Sequence, residues 1–236
     1  MKGFRGLTMA AALAGVLGLC CGVQAQTGDL NSVLKQMDTA SAKFKSAQSD
    51  VKREQYEAAV RDTTAQTGST YLERTGSGMQ WGMKLNPPAA KIVEMKDGML
   101  RMFDPESDHL TQISLKNNQA QYESFLALGF GGSGSDLAKQ WTITYKGSSQ
   151  MNDGKKNVTV AELDLVAKDP KARQNFSHIT LWVDPVQDVS LKQKFFLPSG
   201  DMQTATYTNI RLNQLDKPAI AGFAIKTDKK TTVDSH

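Results

Sequence analysis

The sequence predicts a mainly β protein, an antiparallel sheet that bends toward a barrel and carries a few helices. From Ser69 to Leu212, apolar and polar residues alternate through most segments, the two-residue period of half-buried strands. The turn signals Asp97-Gly98, Asp104-Pro105 and Pro198-Ser199-Gly200-Asp201 separate these segments as hairpin loops do. No strand–helix–strand units of the kind that build parallel sheets stand between them. With 39% hydrophobic and 22% charged residues, the 236-residue chain has a globular composition, which excludes wholesale disorder.

The first element is a targeting signal. Lys2 and Arg5 precede an almost wholly apolar or small run from Leu7 to Cys21, and Val23-Gln24-Ala25 offers small residues at the cleavage positions. This is the three-part pattern of a secretory signal peptide over residues 1–25. The run is shorter than the ~20 residues a spanning helix needs. Leu19 before Cys20, and Cys20 before Cys21, fit poorly as the small residue that precedes a lipidated cysteine. Cleavage after Ala25 leaves residues 26–236 as a single cysteine-free domain in an oxidising compartment. Cysteine nucleophiles and thiolate metal sites are then excluded. The formal charge is +4, two units of which belong to Lys2 and Arg5, and acids and bases are interleaved. No clustered basic footprint supports nucleic-acid binding.

Asp29 to Phe44 predicts a helix, because Leu30, Val33, Leu34, Met37 and Phe44 share one face and Asp29 suits an N-cap. Ala47 to Thr67 is polar and weakly alternating, and reads as one or two long solvated strands. Met79, Trp81, Met83 and Leu85 form a strand face that ends at Asn86-Pro87-Pro88. Val93 and Met95, Leu100 and Met102, and Leu110 to Leu115 supply further strands. Tyr122, Phe125, Leu126 and Leu128 suggest a short helix, followed by a glycine-rich loop from Gly129 to Ser135 and a helical turn over Asp136 to Gln140. Strands resume around Trp141, Leu163, Ile179, Val189 and Thr204 to Leu212, with a last one expected at Phe223 and Ile225.

Catalytic motifs fail on inspection. Gly129-x-Gly131-x-x-Gly134 matches a dinucleotide fingerprint by letter, but it follows a helix in a chain without βαβ units. His109, His178 and His236 have no metal-ligand spacing. Ser107-Asp108-His109 falls in a turn, and Asp184 and Asp188 flank a strand turn where carboxylates are commonly solvated. No enzyme activity, metal or cofactor is expected.

The apolar faces are more informative. Five of the eight methionines of residues 26–236 lie between Met79 and Met102. Methionine lines surfaces that accept varied apolar partners, although the pattern alone favours plain core under the first helix. Arg74 shares a face with Leu72 and Thr70. A charge there either snorkels outward at a rim or holds acceptors on a covering element.

A family resemblance rests on Tyr71-Leu72-Glu73-Arg74, Met79-Gln80-Trp81-Gly82-Met83, Asn86-Pro87, Lys96-Asp97-Gly98, Leu100-Arg101-Met102-Phe103-Asp104-Pro105, Phe125-Leu126-Ala127-Leu128-Gly129, Trp182-Val183-Asp184-Pro185, and Tyr207-Thr208-Asn209-Ile210-Arg211-Leu212-Asn213. In this order they resemble the LolA-type periplasmic lipoprotein carriers. The resemblance implies a half-open antiparallel β-barrel with an apolar cavity covered by short lid helices. The cavity would be lined by Leu72, Trp81, Met83, Val93, Met95, Leu100 and Met102. Phe125, Leu126 and Leu128 would lie on the lid, and Arg74 would latch it. It also implies a monomeric shuttle that takes acylated lipoproteins from an inner-membrane transporter to an outer-membrane acceptor. A lipid- or glycolipid-binding or stress-sensing module on the same fold is the alternative, and a secreted hydrolase the third reading. Thr75 replaces the family's proline, and the polar stretch from Gln48 to Thr67 is longer than the family's.

Overall fold

The computed structural model describes residues 29–76, 78–116 and 125–235. The leader assigned to residues 1–25 and the helix start assigned at Tyr122 lie outside them.

The first helix, α1, spans Leu30–Ser41, and the Asp29 side chain accepts from the Asn31 amide at its N-terminus. Val33, Met37 and Ser41, one turn apart, are its buried residues. It stops before Phe44, which is buried in the loop that follows.

Among the described residues twelve strands form one sheet. They are β1 (Ser46–Glu57), β2 (Asp62–Thr75), β3 (Gly78–Leu85), β4 (Lys91–Lys96), β5 (Met99–Asp104) and β6 (His109–Ser114), then β7 (Trp141–Asn152), β8 (Asn157–Ala167), β9 (His178–Asp184), β10 (Val189–Phe196), β11 (Met202–Leu212) and β12 (Thr232–Ser235). The strand order is β12-β6-β5-β4-β3-β2-β1-β11-β10-β9-β8-β7, open at both edges. Three short helices accompany α1: α2 (Gly134–Gln140), α3 (Pro170–Arg173) and α4 (Lys217–Ala221). Residues 125 and 126 are also helical.

The polar stretch from Ala47 to Thr67 is a long hairpin whose ladder runs from Ser46↔Glu73 to Glu57↔Asp62. Its far half is largely exposed, which accounts for its polar composition. The Asp97-Gly98 turn has positive φ at both residues, as a two-residue hairpin requires.

Two expectations are corrected. The last strand is Thr232–Ser235, not Phe223 to Ile225, and it pairs parallel to β6 in an otherwise antiparallel sheet. Phe223 instead packs edge-on against Tyr71, ring centroids 5.0 Å apart. Gly82 leaves room for the Tyr71 ring, since a Cβ there would lie 2.4 Å from it. Asp184 and Asp188 are buried, not solvated. Asp184 folds back to accept from the Val186 and Gln187 amides of its own turn, and a glycine loop packs over Asp188.

Register defines an inner face. Leu72 pairs with Trp81, Trp81 with Met95 and Met95 with Leu100, while Thr70 pairs with Met83, Met83 with Val93 and Val93 with Met102. On the other half, Leu163, Leu165, Ile179, Leu181 and Val183 pack against Val33 and Met37 of α1 and Leu137 of α2. The sheet curls strongly, because the Asn209 amide of β11 donates to Asp153 O in the turn between β7 and β8, strands remote from β11 in the sheet order.

Two asparagines of the Tyr207–Asn213 segment explain themselves. Asn209 has a φ of 54° at the irregularity where Gln48 and Asp50 change register with β11, and its amide donates to Asp50. Asn213, also at 54°, ends β11. Its side chain accepts from the Lys45 and Ser46 amides and donates to Lys43 O, clamping the α1–β1 loop. Asparagine tolerates this left-handed conformation better than most residues.

Candidate apolar cavity and its lid

The inner face encloses a cavity of about 220 Å³. Leu72, Trp81 and Met83 line it from β2 and β3, and Ala47, Val51 and Tyr207 from β1 and β11. Phe125, Leu126 and Phe130 cover it. Trp81 is held by its indole N–H, which donates to the Thr70 hydroxyl at 2.9 Å, while that hydroxyl donates to Gly82 O.

Val93, Met95, Leu100 and Met102 share the register-defined face of Trp81 and Met83 but do not line the cavity. Met95 is buried, whereas Met102 is among the exposed large apolar residues. Leu128 is buried against α1 and α2, and it lines a second cavity of about 320 Å³ beside Arg74, Met79 and Trp141.

The loop from Ala127 to Ser133 is tied down by hydrogen bonds to its backbone and by the buried side chains of Leu128 and Phe130. Arg74 donates to Ser41 O at 2.9 Å, Phe44 O at 3.2 Å and Gly131 O at 2.6 Å. One guanidinium thus joins the end of α1, the α1–β1 loop and the lid. The Phe44 ring lies 5.6 Å from it, within cation–π range. Ser41 Oγ also donates to Gly131 O.

On the other side the lid pairs with β10. Phe130 forms an isolated antiparallel bridge with Val189, Ser190 N donates to Gly129 O, and Gly131 N donates to Asp188 O. β11 pairs with β10 only from Lys192 onward, so the loop occupies the edge that β11 leaves open. Gly129 and Gly131 have φ of 73° and 72°, and a Cβ on Gly131 would lie 2.3 Å from the Phe44 ring. Glycine is required at both positions by conformation and by space.

The sequence reading missed a further tie. Gln193 Nε2 donates to Leu128 O, and Gln193 Oε1 accepts from the Tyr207 hydroxyl at 3.1 Å. Gln193 breaks the apolar alternation of β10, a signal for a buried polar role. Burial pushes the Tyr207 phenol well above its ordinary value, while the Arg53 guanidinium pulls the other way. Asp188 is fully buried, with neither carboxylate oxygen hydrogen-bonded among the described residues. Burial drives its pKa up to about 8, against the opposing pull of Arg74, with Asp38 adding to the rise.

The catalytic candidates disperse. Asp108 accepts from Thr231 and His109 contacts Asp234 at 3.0 Å, so both hold the C-terminal strand. His178 stacks on Phe196. Among the described residues no three His, Cys, Asp or Glu side chains are grouped to hold a metal ion.

A solved structure shares the fold. An uncharacterized conserved protein from Thermus thermophilus aligns over 87% of this chain and 98% of its own at 9% identity and a TM-score of 0.52, a likeness of fold alone. More distant matches include a LolA superfamily protein from Nitrosomonas europaea (15% identity, 80% and 96% covered, TM-score 0.37) and the MucA/MucB complex of Pseudomonas aeruginosa (13% identity, 84% and 61% covered, TM-score 0.47). No protein-family model and no curated protein matches the sequence.

Proposed function

We propose that this protein is a non-enzymatic carrier of the periplasm, exported by the leader at residues 1–25, whose domain over residues 26–236 shields lipoprotein acyl chains and carries them from the inner to the outer membrane. The observation that carries this reading is an apolar cavity roofed by a loop held by exchangeable hydrogen bonds as well as by apolar contacts. Hydrogen bonds from Arg74, Ser41, Ser190 and Gln193 to lid carbonyls exchange for bonds to water when the roof lifts, so each contributes only ~0.5–3 kcal/mol net. Each buried CH₂ of a cargo is worth ~0.8 kcal/mol, so a chain of ~16 carbons carries ~13 kcal/mol. A few such groups are enough to shift the lid equilibrium.

The cavity of about 220 Å³ is smaller than the ~300–1,000 Å³ of ordinary ligand pockets, so cargo entry requires the lid to move. The glycines at 129 and 131 are the pivots, and Phe125, Leu126 and Phe130 move with them. No described helix is long and apolar enough to cross a membrane. The handover partners are an inner-membrane lipoprotein-releasing transporter and an outer-membrane acceptor.

The test is release. Purified protein added to spheroplasts of its own host, holding newly made acylated lipoproteins, is expected to bring them into the supernatant as a one-to-one complex. Retention of every lipoprotein in the membrane, at saturating carrier, would contradict the shuttle.

A further inference from the structure

The long polar stretch that has no place in the acyl-chain account delivers a cation to the cavity wall. Ala47, Ser49, Val51 and Arg53 alternate along β1, and all four line the cavity. Among the described residues Arg53 is the one charged residue lining it. Its sequence neighbours Lys52 and Glu54 pair with each other at 2.7 Å on the opposite face. Among the described residues Arg53 makes no ion pair and no hydrogen bond, in contrast to Arg74, whose guanidinium is spent on three carbonyls.

Arg53 pairs in register with Ala205 of β11, and Gln203, two residues along the same face, also lines the cavity. The Gln203 side chain likewise makes no hydrogen bond to the described residues. Arg53 opposes the burial-driven rise of the Tyr207 phenol, in keeping with its place on the cavity wall. A guanidinium presents a planar fork of donors that matches a carboxylate or phosphate. Half-buried at the rim of an apolar cavity and without a counter-charge among the described residues, it is free to meet an anion.

We propose that Arg53, with Gln203 beside it, is a headgroup site for an anionic amphiphile whose acyl tail enters the cavity between Val51, Leu72, Trp81 and the lid. The ligand chemistry is a carboxylate or phosphate joined to an acyl chain, supplied by a free fatty acid or by a single-chain phospholipid. The site rests on the reading of the cavity as an acyl-chain site and adds a second ligand class beside the lipoprotein cargo, one that carries a negative charge.

The test separates head from tail. Fluorescence titration at pH 8 compares cis-parinaric acid with its methyl ester, which has the same tail and no charge. The acid is expected to bind at least about tenfold tighter, as a hydrogen-bonded charge contact at a partly exposed site allows. Arg53→Gln is expected to abolish that preference, and Arg53→Lys, which keeps the charge but not the fork, to retain part of it. Equal affinity for acid and ester in the unaltered protein would overturn the headgroup site and leave the cavity standing. Binding of neither would overturn both. Displacement of the bound acid by oleate at lower concentration than by lysophosphatidate assigns a free carboxylate, and the reverse order a phosphate headgroup. Displacement by neutral monoolein as effective as either would count against an anionic site.

Discussion

Removing the Arg74 guanidinium strips Ser41, Phe44 and Gly131 carbonyls of a charged donor. Arg74→Leu is expected to lower stability by about 2 kcal/mol or more, since a hydrogen bond to a charged group contributes ~1.5–3 kcal/mol. It should also populate the open lid. Amide exchange at Gly131 should speed up and uptake of a hydrophobic dye should rise; an unchanged dye isotherm together with unchanged exchange would refute the latch. Asp188 makes a pH prediction. Its folded pKa, about 8, lies above its ordinary 3.8, so the folded state binds the proton more tightly. Its contribution to stability is therefore complete below pH ~4 and is lost as pH rises toward and through 8. Urea midpoints for the unaltered protein and Asp188→Asn between pH 5 and 9 should show the variant with the flatter profile. Arg74 was legible as a charge on an apolar face. Arg53, Gln193 and Asp188 were not singled out as site residues, because local alternation shows which face a residue takes and not what stands across from it.

The lid loop is the element on which the account turns. Its backbone pairs with Val189 and Ser190 where β11 departs from β10, and it can do so only because Gly129 and Gly131 take positive φ against Ser190 and Phe44. Gly131→Ala is expected to cost stability and to loosen the lid, read as faster exchange over 127–132 with β8 and β9 unaffected. Asn213→Ala removes three hydrogen bonds of the α1–β1 clamp and a residue suited to its φ, with an expected loss of about 2 kcal/mol. Most strands were legible, since each buries alternate residues and ends at a turn residue. β12 was not. It is four exposed residues, and its parallel return to β6 leaves no local alternation to read. The end of α1 was misplaced because Phe44 keeps helical spacing while packing from a loop.

At the scale of the molecule, the open sheet with α1 and α2 against its inner face followed from the turn spacing and from the resemblance of the ordered motifs. The extent of the cavity did not. The resemblance assigned seven positions on β2 to β5 to the cavity, yet of these it takes only Leu72, Trp81 and Met83, and it extends instead across β1 and β11 to Gln193 and Phe195 of β10. Which part of a curled sheet is roofed depends on where the lid lands, and that is a long-range property. The central claim is that the roofed cavity holds acyl chains. Native mass spectrometry of the protein isolated from its own periplasm without detergent, with lipid extraction of the same sample, tests it most directly. The account predicts an acylated species bound one to one and lost on delipidation. A bare protein that also takes up no hydrophobic dye would contradict it, and would return Leu72, Trp81 and Met83 to the role of ordinary core.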